Sequence, residues 1–149
     1  HDEKPTNSFL YSLVMDTYSL GYTTSAYMDM PINHKIFLAQ FDTIKKLADQ
    51  ESCVIVGRCS DYTLRDNKNC LRVFFCAPME NRMKRVMDRL HLSEKDAKQK
   101  IQKEDKWRAD NYRYYTGRIW GASANFDLTV NTALGEEYIE ICIREAMKR

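Results

Sequence analysis

Two rhythms of apolar residues alternate along this chain, and each predicts its own kind of element. Phe9, Leu10, Leu13 and Val14 recur at helical spacing behind Asn7 or Ser8, either of which can cap a helix running to about Gly21. YTTSAYMDMP has no period and closes on a proline, which reads as a loop. Asn33 then caps a second helix, with Phe37, Leu38, Phe41, Ile44, Leu47 and Ala48 on its inward stripe. The rhythm changes at CVIVG, a β-branched run that predicts a strand at about 53–57 buried on both faces. LRVFFCA predicts a second strand at about 71–76, and FDLTVNT a third at about 126–130. Between them, Pro78 suits the first turn of a helix with Met79, Met83, Val86, Met87 and Leu90 on one face. Ser93 and Asp96 form a variant capping box for the helix after it, and Gly117 and Gly121 flank that helix's exit. A terminal helix from Glu136 to Met147 is expected to bury Tyr138, Ile139, Cys142, Ile143 and Ala146. Helices and buried strands in alternation predict an α/β domain with a parallel sheet and flanking helices.

The 149 residues suffice for one domain with a core of its own, and the reading is a single domain over 1–149. A net charge of only +2 gives no general attraction to nucleic acid, so anion chemistry must come from local clusters. Five cysteines without a CxxC pair, and three scattered histidines, predict reduced thiols and no zinc site. No metal-binding residues are expected. No membrane-length apolar run and no signal-peptide pattern occur, so a cytoplasmic protein without a membrane partner is expected. The polar opening HDEKPTN has no initiator methionine, and the chain is expected to begin downstream of the gene's start.

One window changes the picture. KEDKWRADNYRYYTGRIWG, from Lys103 to Gly121, holds Arg108, Arg113 and Arg118 at five-residue intervals, and both tryptophans of the protein. Arginine's planar, permanently charged fork suits bidentate phosphate recognition. Arg82, Arg85 and Arg89 line a face of the preceding helix, and Arg58 follows the CVIVG strand at its carboxyl end. Ligands of parallel sheets sit beyond strand carboxyl ends. Asp105 and Arg108, three apart, can share a helix face and address a hydroxyl and a phosphate together. A plain helical ion pair is the blander use of the same spacing.

VGRCSDY, FFCAPMENRMKR, KEDKWR, NYRYYTGRIWG and FDLTVNT together resemble the cytidylate kinase-like proteins of the nucleoside monophosphate kinase group. The resemblance covers most of residues 8–148 and is most specific at YYTG-x-x-WG. It implies a P-loop kinase-like fold, ATP and Mg2+ as cofactors, and a nucleoside monophosphate, CMP or dCMP, as acceptor. UMP is not separated from these by the sequence. The resemblance also implies a helical lid at about 91–120, with Arg82 near the adenine of ATP and Arg85 near its phosphates. Arg58 would hold the acceptor phosphate, Asp105 the acceptor ribose, and Arg108 its phosphate. Arg113 and Arg118 would be lid arginines acting with Arg108 on the transferred group. Val56 stands where cytidylate kinases carry an acidic residue, and Asp61 is a candidate to compensate. No G-x-x-x-x-G-K-[ST] occurs, so the resemblance implies a fragment without the P-loop and the central first strand, inactive as it stands. A catalytically inactive nucleotide-binding or regulatory protein of the same fold is the alternative. A single-stranded RNA-binding module is a third reading, on its arginines and stacking tyrosines. Oligomeric state is not legible.

Overall fold

A computed structural model describes residues 31–148, so the expected helix near the start and the loop after it, up to Met30, lie outside the described residues. Among the described residues no helix is long and apolar enough to cross a membrane. Their packing falls into two units: residues up to Asn67 with Tyr114–Gly117, and Lys68–Arg113 with Arg118 onward.

In the first unit, helix α1 (Ile32–Gln50) buries Phe37, Leu38, Phe41 and Ile44, the first four positions of the expected stripe. Leu47, at 39% exposure, falls off its end. The cap expected of Asn33 is a correction. Pro31 occupies the N-cap, and its carbonyl accepts the amides of His34 and Lys35 at 2.9 and 3.2 Å. Proline's fixed φ presets the helix start without a capping side chain. CVIVG is no strand: it carries no regular secondary structure, and Val54 and Val56 are 93% and 87% exposed. A strand buried on both faces lies inside a sheet that is covered by helices on both sides, and among the described residues no strand pairs with this run. The short helix α2 (Ser60–Thr63) follows, with Cys59, Thr63 and Leu64 buried.

In the second unit, β1 (Val73–Cys76) pairs in parallel with β2 (Leu128–Asn131), in the register Val73 to Leu128 and Cys76 to Asn131. The parallel arrangement expected of these two runs is therefore present, in a sheet of two strands. Arg72 and Asp127 set the register just before both strands. The Arg72 amide and guanidinium both donate to the Asp127 carboxylate, at 2.8–3.0 Å, while the Arg72 carbonyl accepts the Asp127 amide at 2.9 Å.

Helix α3 (Met79–Leu90) has the expected bounds, with Pro78 as its N-cap. Helix α4 (Glu94–Thr116) opens on the expected box: Ser93 Oγ accepts the Asp96 amide at 3.2 Å and donates to its carboxylate at 2.6 Å. It ends at Gly117, whose φ of +69° places it in the left-handed region. The last helix, α5 (Glu136–Ala146), packs near β2, yet none of its residues is fully buried and Tyr138 is 48% exposed. The burial expected of Tyr138, Ile139, Cys142, Ile143 and Ala146 is thus only partial. Two strands about 4.8 Å apart are narrower than a helix about 10 Å across, so they cannot cover its apolar face.

Candidate functional site

The second unit brings three of the expected site residues together. Arg82, on the second turn of α3, donates to the Asp105 carboxylate of α4 through both terminal nitrogens, at 2.6 and 2.7 Å. The same carboxylate accepts from Arg108 at 3.3 Å, one turn further along α4. Arg108 also donates to Glu104 at 3.0 Å, and Lys100 pairs with the other oxygen of Glu104 at 2.9 Å. A chain of alternating charge therefore runs from Arg82 through Asp105, Arg108 and Glu104 to Lys100. Its helical members are ordinary i,i+3 and i,i+4 pairs, each contributing about 0.3–0.5 kcal/mol when exposed. Arg82–Asp105 differs, because it ties two helices with a bidentate fork and both side chains are half-buried.

The electrostatics follow this geometry. The hydrogen bonds of Asp105, against the opposing effect of burial, raise the already high pKa of the Arg82 guanidinium. The Lys100 hydrogen bond, helped by the charge of Arg108, holds Glu104 below its ordinary carboxylate value.

Arg85 and Arg113 are exposed and form no ion pair among the described residues. Arg118 is half-buried, just outside the Gly117 turn. Trp107 is 64% exposed, whereas Trp120 meets Phe74 edge-on at 5.6 Å.

The first unit carries Arg58 and Asp61. Gly57, Arg58 and Cys59 are three consecutive residues at positive φ (+72°, +56°, +53°), two of them with side chains. Such a conformation disfavours any residue with a Cβ and clusters at functional positions. The bend is closed by the Ser60 amide donating to the Gly57 carbonyl at 3.0 Å. Arg58 is exposed and forms no ion pair among the described residues. Asp61 sits in the first turn of α2, where its charge adds to burial in pushing the Cys59 thiol up to about 12.

The aromatic end of this window anchors α4's final turn, on partners that the sequence does not indicate. Tyr114 hydrogen-bonds His34 of α1, Tyr115 donates to the Asn33 carbonyl at 3.3 Å, and the Tyr115 ring stacks on Phe37. Burial, reinforced by the neighbouring Tyr114, raises the pKa of the Tyr115 phenol. No local signal pairs residues some 80 positions apart, although the tyrosine doublet itself was a visible oddity.

Among the described residues no group of three or more His, Cys, Asp or Glu gathers that could hold a metal ion.

The whole pattern has relatives. Residues 1–134 match the model of the cytidylate kinase-like family. A cytidylate kinase of Sulfolobus acidocaldarius is 32% identical over 118 residues, which is 77% of this chain. The chain spans 62% of that relative's length. A crystal structure of an uncharacterized protein from Eubacterium ventriosum ATCC 27560 superposes with a TM-score of 0.70 at 29% identity. The match covers 83% of this chain and 71% of that one.

Proposed function

The chain belongs to the cytidylate kinase-like family, and from that premise we propose that the complete protein transfers a phosphoryl group from ATP to a nucleoside monophosphate, CMP or dCMP. The fold proposed for it is that of the P-loop nucleoside monophosphate kinases, with residues 91–120 as the lid. The observation that carries the reading is the arginine-rich pair of helices α3 and α4, where Arg82, Arg85, Asp105 and Arg108 lie on consecutive elements.

Phosphoryl transfer asks a protein mainly for alignment of donor and acceptor and for positive charge over the migrating group. In this reading Arg82 lies by the adenine and Arg85 by the phosphates of ATP. Arg108 contacts the acceptor phosphate and Asp105 accepts from its ribose, while Arg58, in the first unit, is proposed as a phosphate contact by family resemblance alone. Arg113 and Arg118 act with Arg108 on the transferred group, where fixed guanidiniums stabilise developing charge without reorganisation. Magnesium is proposed only as the ion that accompanies the ATP phosphates, and no step is routed through it. The protein is proposed to act in the cytoplasm on small nucleotides, without a nucleic-acid or membrane partner.

Val56 favours one second reading, a nucleotide-binding regulatory protein of the same family without turnover. Two measurements on the full-length protein separate the readings. Coupled assay with ATP and CMP or dCMP should show turnover under the first and none under the second. Calorimetry should show CMP binding weakened about ten- to a hundredfold by Arg58→Ala or Arg108→Ala, the loss of one charge-assisted contact. Unchanged CMP affinity in both variants would remove the assigned acceptor site.

A further inference from the structure

Two guanidiniums from different helices meet on one carboxylate: Arg82 at 2.6 and 2.7 Å, and Arg108 at 3.3 Å from Asp105. A pair of arginine forks around one group of anionic oxygens is the arrangement a phosphate calls for. Here the anion is supplied by the chain itself. We propose that Arg82 and Arg108 form a single polyphosphate site, Arg82 turning to phosphate in place of the adenine contact given above, and that Asp105 is its resident occupant in the unliganded chain, which an incoming polyphosphate displaces and so frees to accept from the acceptor ribose. The identification of that polyphosphate with a bound nucleotide rests on the kinase reading above, whereas the competition itself does not.

The chemistry of the cluster supports displacement rather than a permanent strut. Arg82 has no carboxylate partner besides Asp105 among the ion pairs of the described residues. When Asp105 leaves, that guanidinium has no other carboxylate partner among the described residues and is open to solvent or to a new anion. Arg108 keeps Glu104 at 3.0 Å in either state, so it stays oriented while its second contact is exchanged. The Arg82 and Asp105 side chains are 30% and 23% exposed, so the pair is reachable from solvent. Its low exposure still makes each exchanged hydrogen bond stronger than on an open surface. Two states follow, one closed on Asp105 and one open to ligand. The observed affinity for polyphosphate is then the intrinsic affinity reduced by the fraction of chains in the open state.

The test uses inorganic tripolyphosphate as the probe, because it needs neither base recognition nor catalysis. Binding to the full-length protein is measured by calorimetry at fixed ionic strength. Asp105→Asn empties the site of its carboxylate and should bind tripolyphosphate roughly tenfold tighter than the parent. Asp110→Asn is the control, since it deletes the same charge from the same helix but from a residue paired with Lys106. Adding Arg82→Ala to Asp105→Asn should abolish the gain. A gain no larger than that of Asp110→Asn, or one that survives Arg82→Ala, would overturn the proposal.

An unfolded Asp105→Asn variant leaves a second measurement on the parent protein. The Nε–H resonances of Arg82 and Arg108 should shift together as tripolyphosphate is added, and a motionless Arg82 signal would overturn the proposal equally. Absence of turnover with CMP, alongside the expected gain, would sink the kinase reading and leave this one standing. Turnover without the gain would sink this one alone.

Discussion

Phe37 and Tyr115 lie face to face, their ring centroids 4.2 Å apart and their planes within 3° of parallel. One ring belongs to the second turn of α1 and the other to the last turn of α4, so this contact fastens the YYTG segment. Phe37 is 5% exposed, so truncating it empties a packed site. Phe37→Ala is expected to lower stability by about 3–5 kcal/mol. A double-mutant cycle with Tyr115→Ala should return a coupling of about 0.5–1.5 kcal/mol, read by urea denaturation. Strict additivity would mean that the stacking contributes nothing of its own.

Gly121 packs against the Phe74 ring of β1. Its φ is +76°, and a Cβ built there would lie 3.0 Å from the Phe74 ring tip. Gly121→Ala is expected to destabilise by roughly 1–3 kcal/mol, through backbone strain together with the clash. Phe74→Leu in the same chain should relieve the clash and leave the strain. Thermal melts of the two variants separate these contributions.

Cys59 gives a pH dependence whose sign can be worked out. Burial, and then the Asp61 charge, moves its pKa from 9.0 to about 12. The fold thus favours the neutral thiol, while an unfolded chain ionises it near 9.0. Its contribution is complete below pH 9 and is lost as pH rises from there toward 12. Cys59→Ala should flatten the alkaline fall in stability relative to the parent. At pH 8, alkylation with mapping of the modified residues should find Cys59 the slow thiol beside exposed Cys53 and Cys76.

The proposed lid has unequal ends. Over 94–110 it is held by buried Ala97 and Ile101, while most of the rest of that face is charged and exposed. Its far end carries buried Tyr112 and the docked tyrosine pair. Hydrogen exchange on the full-length protein should therefore show weak protection over 94–106 without nucleotide, rising with a bisubstrate analogue. Uniform strong protection over 94–116 that the analogue leaves unchanged would make this segment scaffold.

Local signals carried much of the fold. Pro78 and a sustained apolar period place α3 at the expected bounds, and Ser93 with Asp96 opens α4 as its spacing implies. CVIVG misleads for the opposite reason. Its β-branched residues report a preference for a packed, pleated surface, but whether a partner lies alongside is decided elsewhere in the chain. The site divides in the same way. Arg108 can be matched to Asp105 from their spacing on one helix, whereas Arg82 is 23 positions from Asp105 and looks no different in sequence from Arg85 or Arg89. Only the packing of α3 against α4 selects it.

The left-handed bend at Gly57–Arg58–Cys59 sets folding and binding against each other. An arginine held at a φ of +56° costs the fold about 1–2 kcal/mol that glycine would not. Arg58→Gly should therefore raise the melting temperature while removing the one side chain proposed to grip the acceptor from this turn. A selection for heat resistance alone would drift toward that glycine, and a selection for turnover would restore the arginine. Residue 58 is thus a position where the two screens, run in parallel, should choose opposite answers.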